Sequence, residues 1–347
     1  MKIIQNPHKG GAKLANAADY PSVNAKRVHD LLSQCPAFKT TPMVSADNLI
    51  NGGALFVKDE RKRMNVGSFK ALGAAYVIAT QAAAKDPKPT AETLKGTTYV
   101  TASAGNHGIS VAAGARVFGA DAVVYLAKTV PSSFADRLRG IGADVRIEGE
   151  DYAASMEAAM KAADDHGWTL LSDISWEGYT EIPFTLMEGY LQMVAEAVDQ
   201  LDAPPTHLFL QAGVGGLACA AAAYARHVWG DAPVIAVVEP ENAPALQASI
   251  EAGKSVYTDG PDSVMGRLDC KEPSLIALNG LARDADHFIT LSDEEVLTHL
   301  PAMEEANIAT SSSGGAGIAA AMHNGVADSL GLDANARILT FLSEGPA

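Results

Sequence analysis

Short runs of consecutive apolar residues recur along the chain, and most precede a longer segment rich in alanine and leucine. Runs such as 54–57, 98–101 and 207–211 have the length of strands. The segments over 71–84 and 181–200 are longer and rich in helix-forming residues. Strands that are apolar throughout belong to parallel sheets covered on both faces. The pattern therefore predicts an α/β protein with parallel sheets.

The same alternation continues through most of the chain. Residues 1–30 are polar and turn-rich, which predicts an arm laid on the body of the protein. The prolines of 85–90 predict a loop after the 71–84 helix. The further predicted strands are 122–126, 144–147, 169–171, 234–239 and 337–342, and the further predicted helices are 109–118, 131–141 and 151–166.

Composition limits the classes of function. A chain of 347 residues is long enough for about two domains. Its net charge of -15 argues against nucleic acid or an anionic membrane as partner. Three widely spaced cysteines form no disulfide framework, which predicts a reducing, cytoplasmic location. Neither a signal peptide nor a membrane span is expected, because no apolar run is long enough.

Lys70, in Ser68-Phe69-Lys70, stands at the predicted start of the 71–84 helix. Lysines favour the end of a helix, where the helix dipole attracts cations. One interpretation is a solvated lysine at a helix start. The other is a buried amine that forms an imine with a carbonyl cofactor.

Two small-residue turns join a predicted strand to a helix. The first, over 101–108, contains Gly105-Asn106-His107-Gly108 and opens a helix N-terminus to an anion. It is also compatible with an ordinary turn. The second contains Gly213, Gly215 and Gly216, which favours close contact with a phosphate. With Glu239 after the next strand, it also fits a dinucleotide fingerprint, so an NAD-dependent dehydrogenase is an alternative.

Three further polar positions are candidates for chemistry. The turn over 311–317 is interpreted as a plain helix cap. Ser343 follows the last predicted strand, at the sheet edge where α/β proteins bind ligands. Asp173 also follows a strand, and it suits a general acid or base, a ligand for a cationic substrate group, or a simple turn. The histidines form no cluster, so no catalytic metal is expected.

Together, these motifs resemble the fold type II pyridoxal-phosphate enzymes, the group of tryptophan synthase β and the serine/threonine dehydratases. The resemblance runs from Thr41-Pro42 to Ser343. Within the group the chain is most similar to the diaminopropionate ammonia-lyases, through 173–183, 211–215, 238–243 and 313–317. It implies two open parallel-sheet domains with the cofactor in the cleft between them. It also implies a larger domain of 1–97 plus 179–347, a smaller domain of 98–178, and a homodimer.

The resemblance implies roles at matching positions. Lys70 would bind pyridoxal 5'-phosphate covalently and, once released, take the Cα proton. Asp173 would lie near the β-substituent of the substrate, as a second catalytic residue. The implied cofactor ligands are Lys70, Phe69, Asn106, Gly213, Val214, Gly215, Gly216, Leu217 and Ser343. The implied substrate ligands are Ser103, Ala104, Gly105, His107 and Asp173.

The implied activity is β-elimination from an L-amino acid, yielding pyruvate or another 2-oxo acid and ammonia. Ala104 departs from the family, which usually has an acidic residue or a serine there, and alanine transfers no proton. Turnover of the L-isomer alone is therefore expected. A dehydratase of serine, threonine or another β-hydroxy amino acid remains an alternative, as do the NAD-dependent dehydrogenase and a non-catalytic amino-acid-binding protein.

Overall fold

The computed structural model describes residues 1–346, and residue 347, the end of the predicted larger domain, lies outside it. The strands are β1 Lys2–Gln5, β2 Met43–Ser45, β3 Ala54–Asp59, β4 Thr98–Ala102, β5 Asp121–Leu126, β6 Asp144–Ile147, β7 Thr169–Leu170, β8 His207–Gln211, β9 Val234–Pro240, β10 His287–Leu291 and β11 Arg337–Leu342.

The helices alternate with these strands. They are α1 Ala25–Leu32, α2 Lys70–Lys85, α3 Asn106–Val117, α4 Ser132–Gly140, α5 Tyr152–His166, α6 Glu181–Gly189, α7 Leu191–Gln200, α8 Gly216–Trp229, α9 Ala245–Ala252, α10 Leu275–Asp284, α11 Asp293–Leu297, α12 Leu300–Glu305, α13 Ser312–Met322 and α14 Asn324–Leu330. Among the described residues, no helix is long and apolar enough to cross a membrane.

The larger sheet has seven strands in the order β1-β10-β9-β8-β11-β3-β2. Its five inner strands run parallel, while β1 and β2 pair antiparallel at the two edges. The central strands are almost completely buried, as expected for apolar strands with helices on both faces. The predicted α/β class is confirmed.

The smaller sheet has four parallel strands in the order β6-β5-β4-β7. All four lie inside the range 98–178 that the sequence assigns to a smaller domain. The strands of the larger sheet lie before and after that range. The domain boundaries themselves remain a prediction.

Three predicted elements differ from the structure. The helix predicted over 181–200 is two helices that meet at Tyr190. The helix predicted over 109–118 starts earlier, at Asn106, so the polar turn supplies its first residues. The N-terminal arm contains strand β1, which pairs with β10, and helix α1.

Close packing of α2 against α6 fixes the helix that carries Lys70. A Cβ atom on Gly73 would lie 2.7 Å from Tyr190 Cε1, and one on Gly189 would lie 2.7 Å from the carbonyl oxygen of Leu72. Real Cβ atoms do not approach other atoms so closely, so glycine lets the two helices touch. The backbone around Lys70 is therefore supported by a packed core.

Candidate active site

Lys70 lies where the two sheets meet. The preceding residue, Phe69, donates its backbone N–H to the carbonyl oxygen of Ser343, which follows β11 of the larger sheet (3.2 Å). Lys70 Nζ lies 2.5 Å from Oδ2 of Asp173, which follows β7 of the smaller sheet. The predicted lysine, serine and aspartate therefore come together, although they are distant in sequence.

Lys70 and Asp173 form an ion pair that keeps both groups charged. Burial alone would lower the pKa of Lys70, but the Asp173 carboxylate reverses this and raises that pKa well above its usual value. Burial would likewise raise the pKa of Asp173, but the Lys70 ammonium, which also donates a hydrogen bond to this carboxylate, lowers that pKa strongly. Each member of the pair thus stabilises the charge of the other.

The turn between β4 and α3 presents unpaired backbone donors. Ser103 Oγ accepts hydrogen bonds from the N–H groups of Gly105 (3.3 Å) and Gly108 (3.1 Å), and so shapes the turn. Within residues 1–346, the backbone N–H groups of Ala104, Asn106 and His107 have no protein acceptor. Free N–H groups at a helix N-terminus suit a carboxylate or a phosphate.

One ring nitrogen of His107 holds the backbone, and the other has no partner within residues 1–346. It is buried, and its Nε2 atom lies 2.8 Å from the carbonyl oxygen of Leu171. Burial lowers the pKa of His107, which favours the neutral imidazole. Its second ring nitrogen, Nδ1, is buried and unpaired in the described part of the chain.

The glycine turn between β8 and α8 is a second set of free donors. Gly215 has φ of 98°, which only glycine adopts readily, and the helix starts at Gly216. The N–H groups of residues 213–217 find no oxygen acceptor among the described residues. A Cβ atom on Gly213 would lie 2.9 Å from Cys270 Sγ, so a side chain there would not fit.

Glu344 connects the two sides of the site, although no sequence motif points to it. Its carboxylate accepts hydrogen bonds from Asn106 Nδ2, Arg267 Nη1 and Ser311 Oγ. Glu344 is buried, and it follows directly after Ser343, which is also buried. Ser311 also caps α13 by accepting from the N–H of Gly314 (3.0 Å), as predicted.

These donors fit pyridoxal phosphate. Five adjacent N–H groups without an oxygen acceptor among the described residues, three of them on glycines, lie at a helix start and suit its phosphate group. Lys70 supplies an amine near that turn, because the Tyr190 ring lies close to both: its centroid is 5.8 Å from Lys70 Nζ, and a Cβ atom on Gly216 would lie 3.4 Å from Tyr190 Cε2. Asn106 and Ser343 supply neutral polar groups from the other two elements of the site.

Comparison with known proteins supports this interpretation. A family model described as "Pyridoxal-phosphate dependent enzyme" matches residues 35–344. The chain belongs to this family. The predicted cofactor is therefore confirmed, and the family membership predicted from the motifs holds over most of the chain.

Relatives of known activity fall in the same family. The diaminopropionate ammonia-lyase of Escherichia coli K12 is 31% identical over 350 residues, covering 92% of this chain and 88% of that protein. The human L-serine dehydratase/L-threonine deaminase is 30% identical over 245 residues, covering 69% and 71% of the two chains. A crystal structure of the E. coli diaminopropionate ammonia-lyase with an aminoacrylate–pyridoxal phosphate azomethine intermediate matches with a TM-score of 0.88 and 28% identity, over 99% of this chain and 93% of that chain.

The position of Glu239 rules out the alternative of an NAD-dependent dehydrogenase. That interpretation requires the Glu239 carboxylate to bind a ribose. In the structure Glu239 is fully buried, and its carboxylate accepts hydrogen bonds from the N–H groups of Leu246 (2.7 Å) and Gln247 (2.8 Å). Burial raises the pKa of Glu239 to about 8. Glu239 therefore has a structural role, at the start of α9.

Proposed function

We propose that this enzyme is a pyridoxal-phosphate-dependent ammonia-lyase that eliminates the β-amino group of L-2,3-diaminopropionate. Elimination breaks the Cα–H and Cβ–N bonds and releases ammonia. The enamine that remains is hydrolysed by water to pyruvate and a second ammonia. The relatives that cover most of the chain support this assignment.

The observation that carries the proposal is the pairing of Asp173. In the described structure, Lys70 is the one cationic side chain that forms an ion pair with this carboxylate. With the Lys70 amine bound to the cofactor, Asp173 would no longer face a free lysine ammonium group. A half-buried carboxylate without a counter-ion favours a ligand that brings a positive charge. The β-ammonium group of diaminopropionate provides that charge, whereas the hydroxyl group of serine does not.

Pyridoxal phosphate, when bound to Lys70, supplies the electron sink that makes the Cα proton acidic. The remaining groups of the site hold it and position the substrate. We assign the phosphate to the N–H groups of Gly213, Val214, Gly215, Gly216 and Leu217. Phe69 packs beside Lys70, Asn106 is assigned to the phenolic oxygen and Ser343 to the pyridine nitrogen. A neutral serine keeps that nitrogen less protonated than a carboxylate would.

Substrate and protons are handled by the turn before α3 and by the ion pair. The free N–H groups of Ala104, Asn106 and His107, in the turn that Ser103 and Gly105 shape, would bind the substrate carboxylate. Lys70 Nζ, when its amine is free, would take the Cα proton. Asp173 would hold the β-ammonium group, which leaves as neutral ammonia and needs no further proton. Ala104 adds no second base, so we assign activity to the L-isomer alone.

The test is a comparison of substrates in the wild-type enzyme and in Asp173→Asn. Wild type should release pyruvate from L-2,3-diaminopropionate with a higher kcat/KM than from L-serine. Loss of a hydrogen bond to a charged group costs about 1.5–3 kcal/mol, so the variant should lose about 10- to 100-fold in kcat/KM for diaminopropionate and less for serine. The visible cofactor band should remain. Glu157→Gln, at an exposed position, is the matched control.

A dehydratase is the second candidate, because one relative is an L-serine dehydratase/L-threonine deaminase. It predicts the opposite ranking of the two substrates. Faster turnover of serine by the wild-type enzyme would establish the dehydratase. If Asp173→Asn lowers kcat/KM equally for both substrates, the Asp173 carboxylate does not recognise the β-ammonium charge.

We further propose that the protein is cytoplasmic and that its domains divide as predicted above.

We also propose that it forms a homodimer. An apolar groove of about 320 Å³ lies between α1, α2 and α3, and Val117 at its edge is 48% exposed. A second copy of the chain would cover this groove. Val117→Asp should then give a smaller particle in light scattering. Val228→Asp, at an exposed valine outside the groove, should not.

A further inference from the structure

The hydroxyl group of Tyr190 is buried and donates no hydrogen bond in the described part of the chain. The side chain is 1% exposed, at the junction of α6 and α7. Buried tyrosine hydroxyls normally find a partner, because leaving one unpaired costs free energy. A partner that binds from outside the protein would explain the unpaired group.

The tyrosine ring lies between the two parts of the protein that hold the cofactor. Its centroid is 4.9 Å from that of Phe69 and 5.8 Å from Lys70 Nζ. On the other side, a Cβ atom built on Gly216 would lie 3.4 Å from Tyr190 Cε2. Gly216 belongs to the glycine turn, and Cε2 is adjacent to the carbon that bears the hydroxyl.

The Tyr190 hydroxyl lacks a hydrogen-bond acceptor among residues 1–346. The Lys70 ammonium and the Gly216 N–H are both donors, and the Asp173 carboxylate is paired with Lys70 at 2.5 Å. Burial, chiefly, raises the pKa of Tyr190, so the hydroxyl keeps its proton at neutral pH. A protonated hydroxyl among donors needs an oxygen that accepts, and a phosphate oxygen is such an acceptor.

We propose that Tyr190 is a ligand of the cofactor and donates its hydroxyl hydrogen to a phosphate oxygen of pyridoxal phosphate. It would thereby tie the phosphate to the packed junction of α6 with α2. This inference rests on the cofactor and not on the substrate proposed above. Measurements of cofactor binding therefore test it whichever amino acid the enzyme consumes.

The experiment compares Tyr190→Phe with wild type in cofactor-free and cofactor-loaded protein. Removing the hydroxyl should weaken pyridoxal phosphate about ten-fold, the effect of losing one hydrogen bond to a charged group. Binding of pyridoxal, which lacks the phosphate, should change less than about two-fold. The cofactor-free variant should unfold at the wild-type Tm or above it, because an unpaired buried hydroxyl has been removed.

Tyr76→Phe is the matched control. Tyr76 is also buried, but its hydroxyl donates to Glu188 Oε2 at 2.7 Å. This control should lower the Tm of cofactor-free protein and leave cofactor affinity unchanged. If Tyr190→Phe behaves like the control, the hydroxyl has a structural role and the proposal is wrong. Equal weakening of pyridoxal and its phosphate would also overturn it, because the hydroxyl would then contact another part of the cofactor.

Discussion

Glu196 stands at the centre of a buried charge network, and its replacement by glutamine should be strongly destabilising. Its carboxylate accepts two hydrogen bonds from Arg63 (2.8 and 2.7 Å) and lies 2.8 Å from Lys58 Nζ. Arg63 also pairs with Glu60 at 2.7 Å. Lys58, Glu60 and Arg63 are completely buried. Glutamine keeps the shape of Glu196 but leaves one positive charge in excess.

The magnitude follows from the pKa of Glu196. Burial alone would raise this pKa, but Arg63 and Lys58 lower it from 4.5 to about 2. A difference of that size corresponds to about 3 kcal/mol of stability at pH 7. Breaking one member of a buried ion pair costs about 3–5 kcal/mol, which agrees. Because the folded pKa lies below the unfolded one, this stability is present above pH 4.5 and is lost as the pH falls towards 2.

The assay is urea unfolding of wild type and Glu196→Gln between pH 7 and pH 3. The difference in unfolding free energy should be about 3 kcal/mol at pH 7 and about half of that near pH 3. Glu251→Gln is the control, since Glu251 pairs with Lys2 at the surface, and should change stability by less than about 1 kcal/mol. A difference below about 1 kcal/mol at pH 7, or one that grows as the pH falls, would refute the reasoning.

Other outcomes follow from the site. Lys70→Ala should abolish both pyruvate release and the visible cofactor band; retained turnover would contradict the role of Lys70. Asp173→Asn should keep the band and lose activity towards diaminopropionate, as described above. Wild type should release pyruvate from L- but not D-diaminopropionate, because Ala104 supplies no second base, and comparable rates for the two isomers would show that another group does. Val117→Asp should yield monomers by light scattering, and an unchanged particle size would place the dimer contact elsewhere.

Local sequence signals predict the helix starts that form the site. Lys70 was placed at a helix start because an alanine-rich segment follows it, and α2 begins at that residue. Asn106 and Gly216 were placed in strand-to-helix turns by the small residues around them, and both are the first residues of their helices. Such signals are contained within a few neighbouring residues, so the sequence displays them directly.

Contacts between distant segments could not be predicted in this way. Asn106 and Glu344 are 238 positions apart, and Glu344 follows the last strand as an ordinary polar residue. The break between α6 and α7 at Tyr190 is equally hidden, because the local sequence has good helix formers on both sides. One signal was available for Tyr190: it directly follows Gly189, and glycine inside a helix often marks close packing.

The site also shows how a protein with a net charge of -15 can bind anions. Two cations at the site are neutralised, since Lys70 pairs with Asp173 and Arg267 with Glu344. The groups left to meet a phosphate and a carboxylate are backbone N–H groups at the starts of α8 and α3. These neutral dipoles are fixed by the fold and do not depend on the surface charge. Recognition of a phosphate and a carboxylate would therefore be local, and in the proposed function the Asp173 carboxylate would select the charge of the β-substituent.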